Sequence, residues 1–519
     1  MNFISRRFLN RVKKLNGDQN GVVLILFTLM IVPILMVVAV AIDYGQTLVI
    51  KRQLAAAVDA AALAVAQMPS LTDAEATAKG ESYIRAHYPD AAIGVLKGFS
   101  VVRNGDGVSV SATAEMDTTF LSFAGYDTLS VTVGGMATMK QTKMEVVMVL
   151  DNTGSMGEFA GGMKKIDALK SAASALVDIL FQKDTESRYI KIGLVPFANT
   201  VNIGSGFRGS AIMDETVPTS LNSEQILNDI GNGYSSLFQA FDKLGKAWGG
   251  CVRSRLGGND LSDVAPSKAT ANTLFTPYFA PDEMDMDPSN ARFMPNNSYL
   301  KDGIATGKYK NYTFYRDSPQ WAGWGAGPNY NCPTGPIQPL TNVKTIITTA
   351  LGKMKAQGNT VIPEGLAWGW RVISPGIPFT EGVPYDDPET LKVIILLTDG
   401  RNDVGGGGNG PYKSAFTSYG YADNGNMGST SGSNAEATLN SKLTTLCQTI
   451  KADKDGDPKD QDIIMYTIGF GITAGSTIDN IMRGCATEPA NFFNTPSAED
   501  LQAAFQDIAL GLSKLRLAR

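Results

Sequence analysis

The chain is almost without histidine: His87 is the only one in 519 residues. That argues against zinc hydrolysis with several His ligands and against a Ser-His-Asp triad in the large C-terminal half. His87 itself reads as a surface residue. Cysteine is scarce too. Cys251, Cys332, Cys447 and Cys485 are the four present, and none forms a C-x-x-C, which weakens a zinc or thioredoxin reading. There is no G-x-x-x-x-G-K-[ST], no H-E-x-x-H, and no G-x-S-x-G around Ser155. No long basic run follows the N-terminus, and the formal charge of -5 is mild, so nucleic acid is not an expected partner.

A chain of 519 residues exceeds one ordinary core, so two or more domains are expected. Four cysteines in an exported segment suggest two disulfides. Chain order suggests Cys251–Cys332 and Cys447–Cys485, although three pairings are possible and four buried free thiols are the alternative.

One long stretch lacks charge altogether. Gly21 to Ile42 reads GVVLILFTLMIVPILMVVAVAI, close to the ~20 residues a helix needs to cross a bilayer. Arg6, Arg7, Arg11, Lys13 and Lys14 precede it. That bias keeps residues 1–20 cytoplasmic, makes 21–43 the membrane helix, and places the rest outside, anchored in the inner membrane. A cleaved signal peptide would share the basic start and the A-x-A-like Ala39-Val40-Ala41, but the apolar run is longer than such a core. A prepilin would need Glu where Leu26 stands. Pro33 is expected to kink the helix, which membranes tolerate. Residues 44–70 continue as helix, Ala- and Leu-rich and free of Gly and Pro from Gln46 to Gln67.

Residues 20–67 resemble the N-terminal segment of TadG-like proteins of the tight-adherence (Tad, or Flp) pilus system. The carrying residues are Asn20-Gly21-Val22, Pro33, Ala41-Ile42-Asp43-Tyr44-Gly45, Lys51-Arg52-Gln53-Leu54, and Ala57-Val58-Asp59-Ala60-Ala61-Ala62-Leu63-Ala64. The resemblance implies an envelope role in pilus assembly or anchoring.

Residues 71–140 read as a small α+β region. A helix starts near Thr72, with Asp73 and Glu75 in its first turn. Val108, Val110, Ala112 and Ala114 alternate with polar residues as in a half-buried strand, and Gly105-Asp106-Gly107 suits a hairpin turn from a strand around Phe99–Val102. Leu129, Val131 and Val133 suggest another strand.

Residues 141–519 carry the chemistry. Glu145–Leu150 is a continuous apolar strand, as in a parallel sheet covered on both faces. Ile166–Phe181 has helical spacing, and Ile190–Phe197, Lys392–Thr398 and Ile463–Phe470 are further strands. Alternating strands and helices predict a doubly wound α/β (Rossmann-like) domain with its site at the carboxyl ends of strands. There the polar residues fall: Asp151, Thr153 and Ser155 after one strand, Asp399 after another, and Thr360 in a loop opening a helix. Their oxygens are hard ligands, suited to Mg²⁺, Mn²⁺ or Ca²⁺. The bland alternative is a strand-to-helix turn in which Asp151 or Thr153 caps the helix.

This set resembles the metal-ion-dependent adhesion site of von Willebrand factor A (vWA) domains: D-x-S-x-S, a distant Thr and a distant Asp. The resemblance covers about 141–204 and 341–519, with Thr153 replacing the first Ser. It implies that Thr153 or its backbone neighbours shape the loop, that Ser155 and Thr360 ligate through hydroxyls, and that Asp151 and Asp399 act directly or through water. A partner's carboxylate would complete the shell.

Residues 205–340 interrupt this pattern as an insertion rich in Asn, Gly, Pro and aromatics, including Trp248, Trp321 and Trp324. It reads equally as a binding surface with exposed aromatics or as a disulfide-stapled mini-core. Residues 404–434 read as a mobile recognition loop near the metal face or as disordered polar sequence. The aspartates of 453–462 read as a solvated turn, since Gly456 is misplaced for an EF-hand.

The expected function is binding, not catalysis: a membrane-anchored vWA protein of Tad/Flp pilus assembly, engaging pilus or envelope proteins with no small-molecule substrate. A surface adhesin unrelated to pili is the alternative. A metal-assisted hydrolase is disfavoured, because no nucleophile–base pair is found and no second carboxylate or Lys adjoins Asp151 in sequence.

Overall fold

The computed structural model describes residues 19–68, 71–89, 93–104, 107–138, 142–214, 236–243, 245–270, 272–280, 285–287, 292–294, 328–405, 413–452 and 463–518. The N-terminal basic residues, the Gly105-Asp106 turn, Trp321, Trp324 and the aspartates of 453–462 lie outside them. The chain forms two compact units, Met1–Gln141 and Thr142–Arg519.

In the first unit a single helix, α1 (Gln19–Ala66), runs unbroken through Pro33. Its first half is exposed and apolar from Val23 to Val38, whereas Ile50, Leu54, Ala57, Val58, Ala61 and Val65 are buried. The small alanines let neighbours approach closely. Helix α2 (Asp73–His87) begins with a capping box, in which Thr72 and Glu75 satisfy each other's backbone N–H groups. Strands β1 (Val95–Asn104), β2 (Gly107–Asp117) and β3 (Thr128–Thr138) form an antiparallel sheet with β2 in the middle. Burial along β2 alternates strictly, so Val108, Val110, Ala112, Ala114 and Met116 face the α1 stripe.

The second unit is doubly wound. Among the described residues its centre is a sheet of eight strands. In chain order these are β4 (Lys143–Asp151), β5 (Ile190–Phe197), β6 (Val201–Asn202), β7 (Cys251–Val252), β8 (Gln338–Thr341), β9 (Thr390–Thr398), β10 (Ile463–Phe470) and β11 (Phe492–Thr495). The spatial order is β11-β10-β9-β4-β5-β6-β7, with β8 antiparallel against β5. From β11 to β5 the pairs are parallel. On one face pack α3 (Lys165–Phe181), α4 (Lys344–Gly352) and α8 (Ala498–Ala518), through Leu169, Leu176, Ile347, Phe505 and Ile508. On the other pack α5 (Ile362–Ile373), α6 (Gly432–Lys451) and α7 (Thr477–Cys485), through Leu366, Leu443, Ile450 and Met482. Both faces are thus covered, which accounts for the apolar runs of the central strands. The runs are not wholly apolar, however. Glu145 and Lys392 are both buried and paired at 2.7 Å.

Described parts of the insertion join this domain. Strands β6 and β7 extend the sheet edge, and Phe241, Trp248, Phe275, Tyr278 and Phe279 are buried in the core beside Trp368 of α5. These aromatics serve as core, because α5 offers them a large apolar face. The stretch 413–422 departs from the expectation of a mobile or disordered loop. Phe416, Tyr419 and Tyr421 are buried, and the Phe416 carbonyl accepts from Asn199 Nδ2 and Tyr278 Oη, at 3.0 and 3.2 Å. Three aromatics within six residues outweigh the glycine and serine around them. Two disulfides are present, Cys251–Cys332 with S–S 2.02 Å and Cys447–Cys485 with S–S 1.99 Å.

Candidate metal centre

Strand β4 leads to β5 on one side, and β9 lies on its other side. The carboxyl ends of β4 and β9 therefore flank the point where strand order reverses, where open α/β sheets form their crevice. Asp151 ends β4 and Asp399 follows β9. The parallel register pairs Leu150 with Leu397, which brings the two acids to one rim.

The Asp151 carboxylate is fully buried. Its Oδ1 accepts from the Thr153 N–H at 2.8 Å, and Oδ2 accepts from Thr398 Oγ1 at 2.7 Å. The Thr153 and Ser155 hydroxyls lie 3.1 Å apart, and Ser155 Oγ donates to Asp399 Oδ1 at 2.7 Å. Asp151, Thr153, Ser155 and Asp399 thus form one connected group of oxygens. Burial, and next the charge of Asp399, push the Asp151 carboxyl up to about 7, against the opposing hydrogen bonds from Thr153 and Thr398.

The loop holding Thr360 is fastened to the same rim by backbone. Gly154 N–H donates to the Gly358 carbonyl and Gln357 N–H to the Asn152 carbonyl, both at 2.9 Å. Thr360 itself exchanges both backbone hydrogen bonds with Asp403, four residues beyond Asp399. Helix α5 then starts at Ile362, whose N–H donates to Asn402 Oδ1 at 2.9 Å. Gly365 and Gly369 let α5 lie close on the sheet, since a Cβ at either would collide with Phe197 or Val149. The Thr360 loop is therefore held by the helix behind it as well as by the rim.

Sequence reasoning missed three contributors. Thr398 is the last residue of an apolar strand, and its hydroxyl orients Asp151. Asn402 caps α5 from a distant loop, which sequence spacing does not reveal. Lys165 is the third. A two-stranded ribbon, Phe159–Ala160 against Met163–Lys164, turns at Gly161-Gly162, both with positive φ. It delivers Lys165 Nζ to Asp399 Oδ2 at 2.9 Å and to Glu158 at 3.5 Å. Burial would lower the Lys165 pKa, but Asp399 and Glu158 outweigh it and hold it above the usual lysine value. The adjacent Gly-Gly was the only sequence signal for this turn.

The donor set fits a hard divalent cation. It is all oxygen, and it places two buried carboxyls at neighbouring strand ends, with an ammonium paired to one of them, Asp399. One positive charge, on Lys165, faces the two carboxyls, and the raised Asp151 value reflects first its burial and next the charge of Asp399.

Comparison with known proteins finds a family for the N-terminal segment. Residues 21–68 match the model of a family described as "Putative Flp pilus-assembly TadE/G-like". This segment is TadE/G-like. The resemblance noted from Asn20 to Ala64 therefore stands over α1. No curated protein matches the chain. Among solved structures, the pilus adhesin SpaC from Lactobacillus rhamnosus GG is 12% identical, with 82% of this chain and 35% of SpaC covered, at a TM-score of 0.31. This chain thus spans about a third of SpaC. The vWF domain of the type V pili tip protein Mfa5 from Porphyromonas gingivalis is 10% identical, covering 73% of this chain and 97% of that one, at 0.32. Proximal thread matrix protein 1 from the mussel byssus, "with zinc occupied MIDAS motif", is 12% identical, covering 72% and 46%, at 0.27. The superpositions are loose at these scores.

Proposed function

We propose that the protein is a single-pass membrane component of Tad/Flp pilus assembly or anchoring, whose doubly wound domain binds a pilus or envelope protein through a divalent cation. The carrying observation is the convergence of Asp151, Thr153, Ser155 and Asp399 at the switch point of the same chain that bears the TadE/G-like segment. Ser155 and Thr360 would hold the cation through hydroxyls, and Asp151 and Asp399 through carboxylates or bound water. The cation, when bound, supplies an open coordination position for a partner's carboxylate. Thr398 and the Thr153 N–H orient Asp151, and Ser155 orients Asp399. Lys165 neutralises Asp399 and has to swing aside or share it. Both cysteine pairs are closed, which favours an oxidising compartment and hence the periplasmic side for residues beyond the membrane helix. The N-terminus then faces the cytoplasm and the anchor lies in the inner membrane. The role is binding, not turnover.

The test is a deletion strain complemented with wild-type protein or Asp151→Ala, scored for surface pili and attached cells at matched membrane levels. Wild type should restore both, and the variant neither. If pili never depend on the protein, the pilus role is wrong. If Asp151→Ala restores pili fully, the cation has no part in it.

A further inference from the structure

The apolar run of α1 ends at Ile42, and the next residue is buried. Both oxygens of Asp43 are used by one loop, residues 118–127 between β2 and β3. Oδ1 accepts from Thr119 N–H at 3.1 Å, and Oδ2 accepts from Phe120 and Leu121 N–H at 3.0 and 2.8 Å. One helical turn on, Thr47 Oγ1 meets Met116 Sδ at 3.9 Å. The loop is closed by its own backbone: Thr118 N–H donates to the Asp127 carbonyl at 2.9 Å and Tyr126 N–H to Leu121 at 3.1 Å. A pinned, closed loop of this kind normally turns its apolar side chains inward. Here Phe123 is 90% exposed, Tyr126 63% and Phe120 39%. Thr118 to Tyr126 contains no charged residue.

We infer that this loop is an aromatic anchor that seats in the lipid headgroup and upper acyl region on the side of the membrane where α1 emerges. The inference rests on α1 spanning the bilayer. At about 1.5 Å per residue the run Gly21–Ile42 is about 33 Å long, enough to cross a hydrocarbon layer of about 30 Å and leave Asp43 at its border. Hydrogen bonds to Asp43 hold residues 119–121 at that level. Phe123 is two residues further on, at most ~7 Å away, within the headgroup layer. Aromatic rings with one apolar body and, for Tyr126, one polar tip favour this zone. Ile42 and Tyr44, also exposed, continue the same apolar surface from the helix itself. With no cation in the loop, attraction to anionic lipid plays no part, so the contact should be insensitive to headgroup charge and salt. A buried Asp beside a membrane helix is costly unless fully hydrogen-bonded, and here the loop supplies all three donors. The clamp and the anchor are thus one device, fixing how far α1 enters the bilayer.

The full-length chain is reconstituted in phosphatidylcholine vesicles. Its native cysteines are disulfide-bonded, so a single added cysteine carries an environment-sensitive fluorophore at position 123, 126, 29 or 510 (Phe123→Cys, Tyr126→Cys, Leu29→Cys, Leu510→Cys). Quenching is read with lipids bearing spin labels at shallow or deep acyl positions. The expected result is deep quenching at 29, shallow quenching at 123 and 126, unchanged by anionic lipid or high salt, and no lipid quenching at 510. Asp43→Ala should abolish the shallow quenching at 123 while leaving that at 29. Quenching at 29 but not at 123 or 126 overturns the anchor and leaves the span intact. Shallow quenching that survives Asp43→Ala overturns the clamp. No quenching at 29 overturns the span, and the anchor with it.

Discussion

At the amino ends of β4 and β9, Glu145 lies between two ammonium groups, Lys392 at 2.7 Å and Lys191 at 3.3 Å. The parallel register sets the three side by side on β9, β4 and β5. The Val383 N–H also donates to the carboxylate, and Lys392 donates to the Ile373 carbonyl at 2.9 Å. At the carboxyl ends of the same strands the proportion is reversed: of the two acids, Asp399 is paired with one ammonium, Lys165, and Asp151 is held by the Thr153 N–H and the Thr398 hydroxyl. Both ends bury charge, but only the first has a surplus of positive partners. Burial of an ion costs several kcal/mol unless it is paired and hydrogen-bonded. The amino end is therefore a closed structural pair. The carboxyl end keeps fewer positive partners than carboxyls beside the crevice, an electrostatic deficit consistent with the proposed binding role.

The comparison breaks most sharply at Glu145. Glu145→Ala leaves Lys392 buried without its carboxylate and should cost about 3–5 kcal/mol, the usual penalty for breaking a buried pair. The thermal transition of the second unit would report it, and joint replacement with Lys392→Met should recover most of the loss. If the single variant melts like wild type, the amino end is not a closed pair.

At the carboxyl end the corresponding removal should have the opposite consequence for ligand. Lys165→Ala frees Asp399 from a competing ammonium and should tighten Mg²⁺ or Mn²⁺ binding about tenfold, one charge-assisted hydrogen bond's worth. Calorimetry on the full chain in detergent tests it, with Asp399→Asn as the variant expected to lose binding. Equal affinity for wild type and Lys165→Ala would mean that Lys165 does not contend with the cation.

A third effect concerns pH. Burial, and next the charge of Asp399, push the Asp151 carboxyl up to about 7 in the folded, metal-free protein, above its unfolded value of ~3.9. Its contribution to stability is thus fully present below the unfolded value and is lost as pH rises through about 7. Asp479 behaves oppositely. Burial would raise its pKa, but hydrogen bonds from the Gly475 N–H and Asn494, with the charge of Arg483, hold it below the usual value. Its contribution is present above the unfolded value and lost as pH falls. Melting curves of metal-free wild type and Asp151→Asn should converge toward acid and separate above neutrality, with the variant higher. Parallel curves would remove the deficit from the carboxyl end.

Much of this was legible beforehand. The apolar runs at 145–150, 392–398 and 463–470 mark covered parallel strands because such strands show no alternation. The residues just beyond them must then lie at the sheet's carboxyl rim. That logic reaches Asp151, Thr153, Ser155 and Asp399 from sequence alone, whereas Thr360 enters through the resemblance to the adhesion-site pattern, and the structure fastens its loop to the same rim by backbone. It does not reach Lys165, because a tight glycine turn reverses the chain over only a few residues and periodicity does not resolve it. Nor does it reach Glu145–Lys392, two charges hidden within runs that otherwise read as apolar.

Local pattern therefore determined what each segment is: a membrane-length helix, an alanine stripe, an alternating middle strand, and strand ends carrying acids and hydroxyls. Hydrophobic periodicity and chain stiffness act over a few residues, so the linear sequence contains them. Which charges meet was decided only by tertiary structure. Strand order sets Asp399 beside Asp151 across 248 positions, register aligns Lys392 with Glu145, and a folded-back loop brings three N–H groups to Asp43. Pairing of buried charge depends on distances of about 3 Å between groups remote in sequence, and only the assembled sheet fixes those.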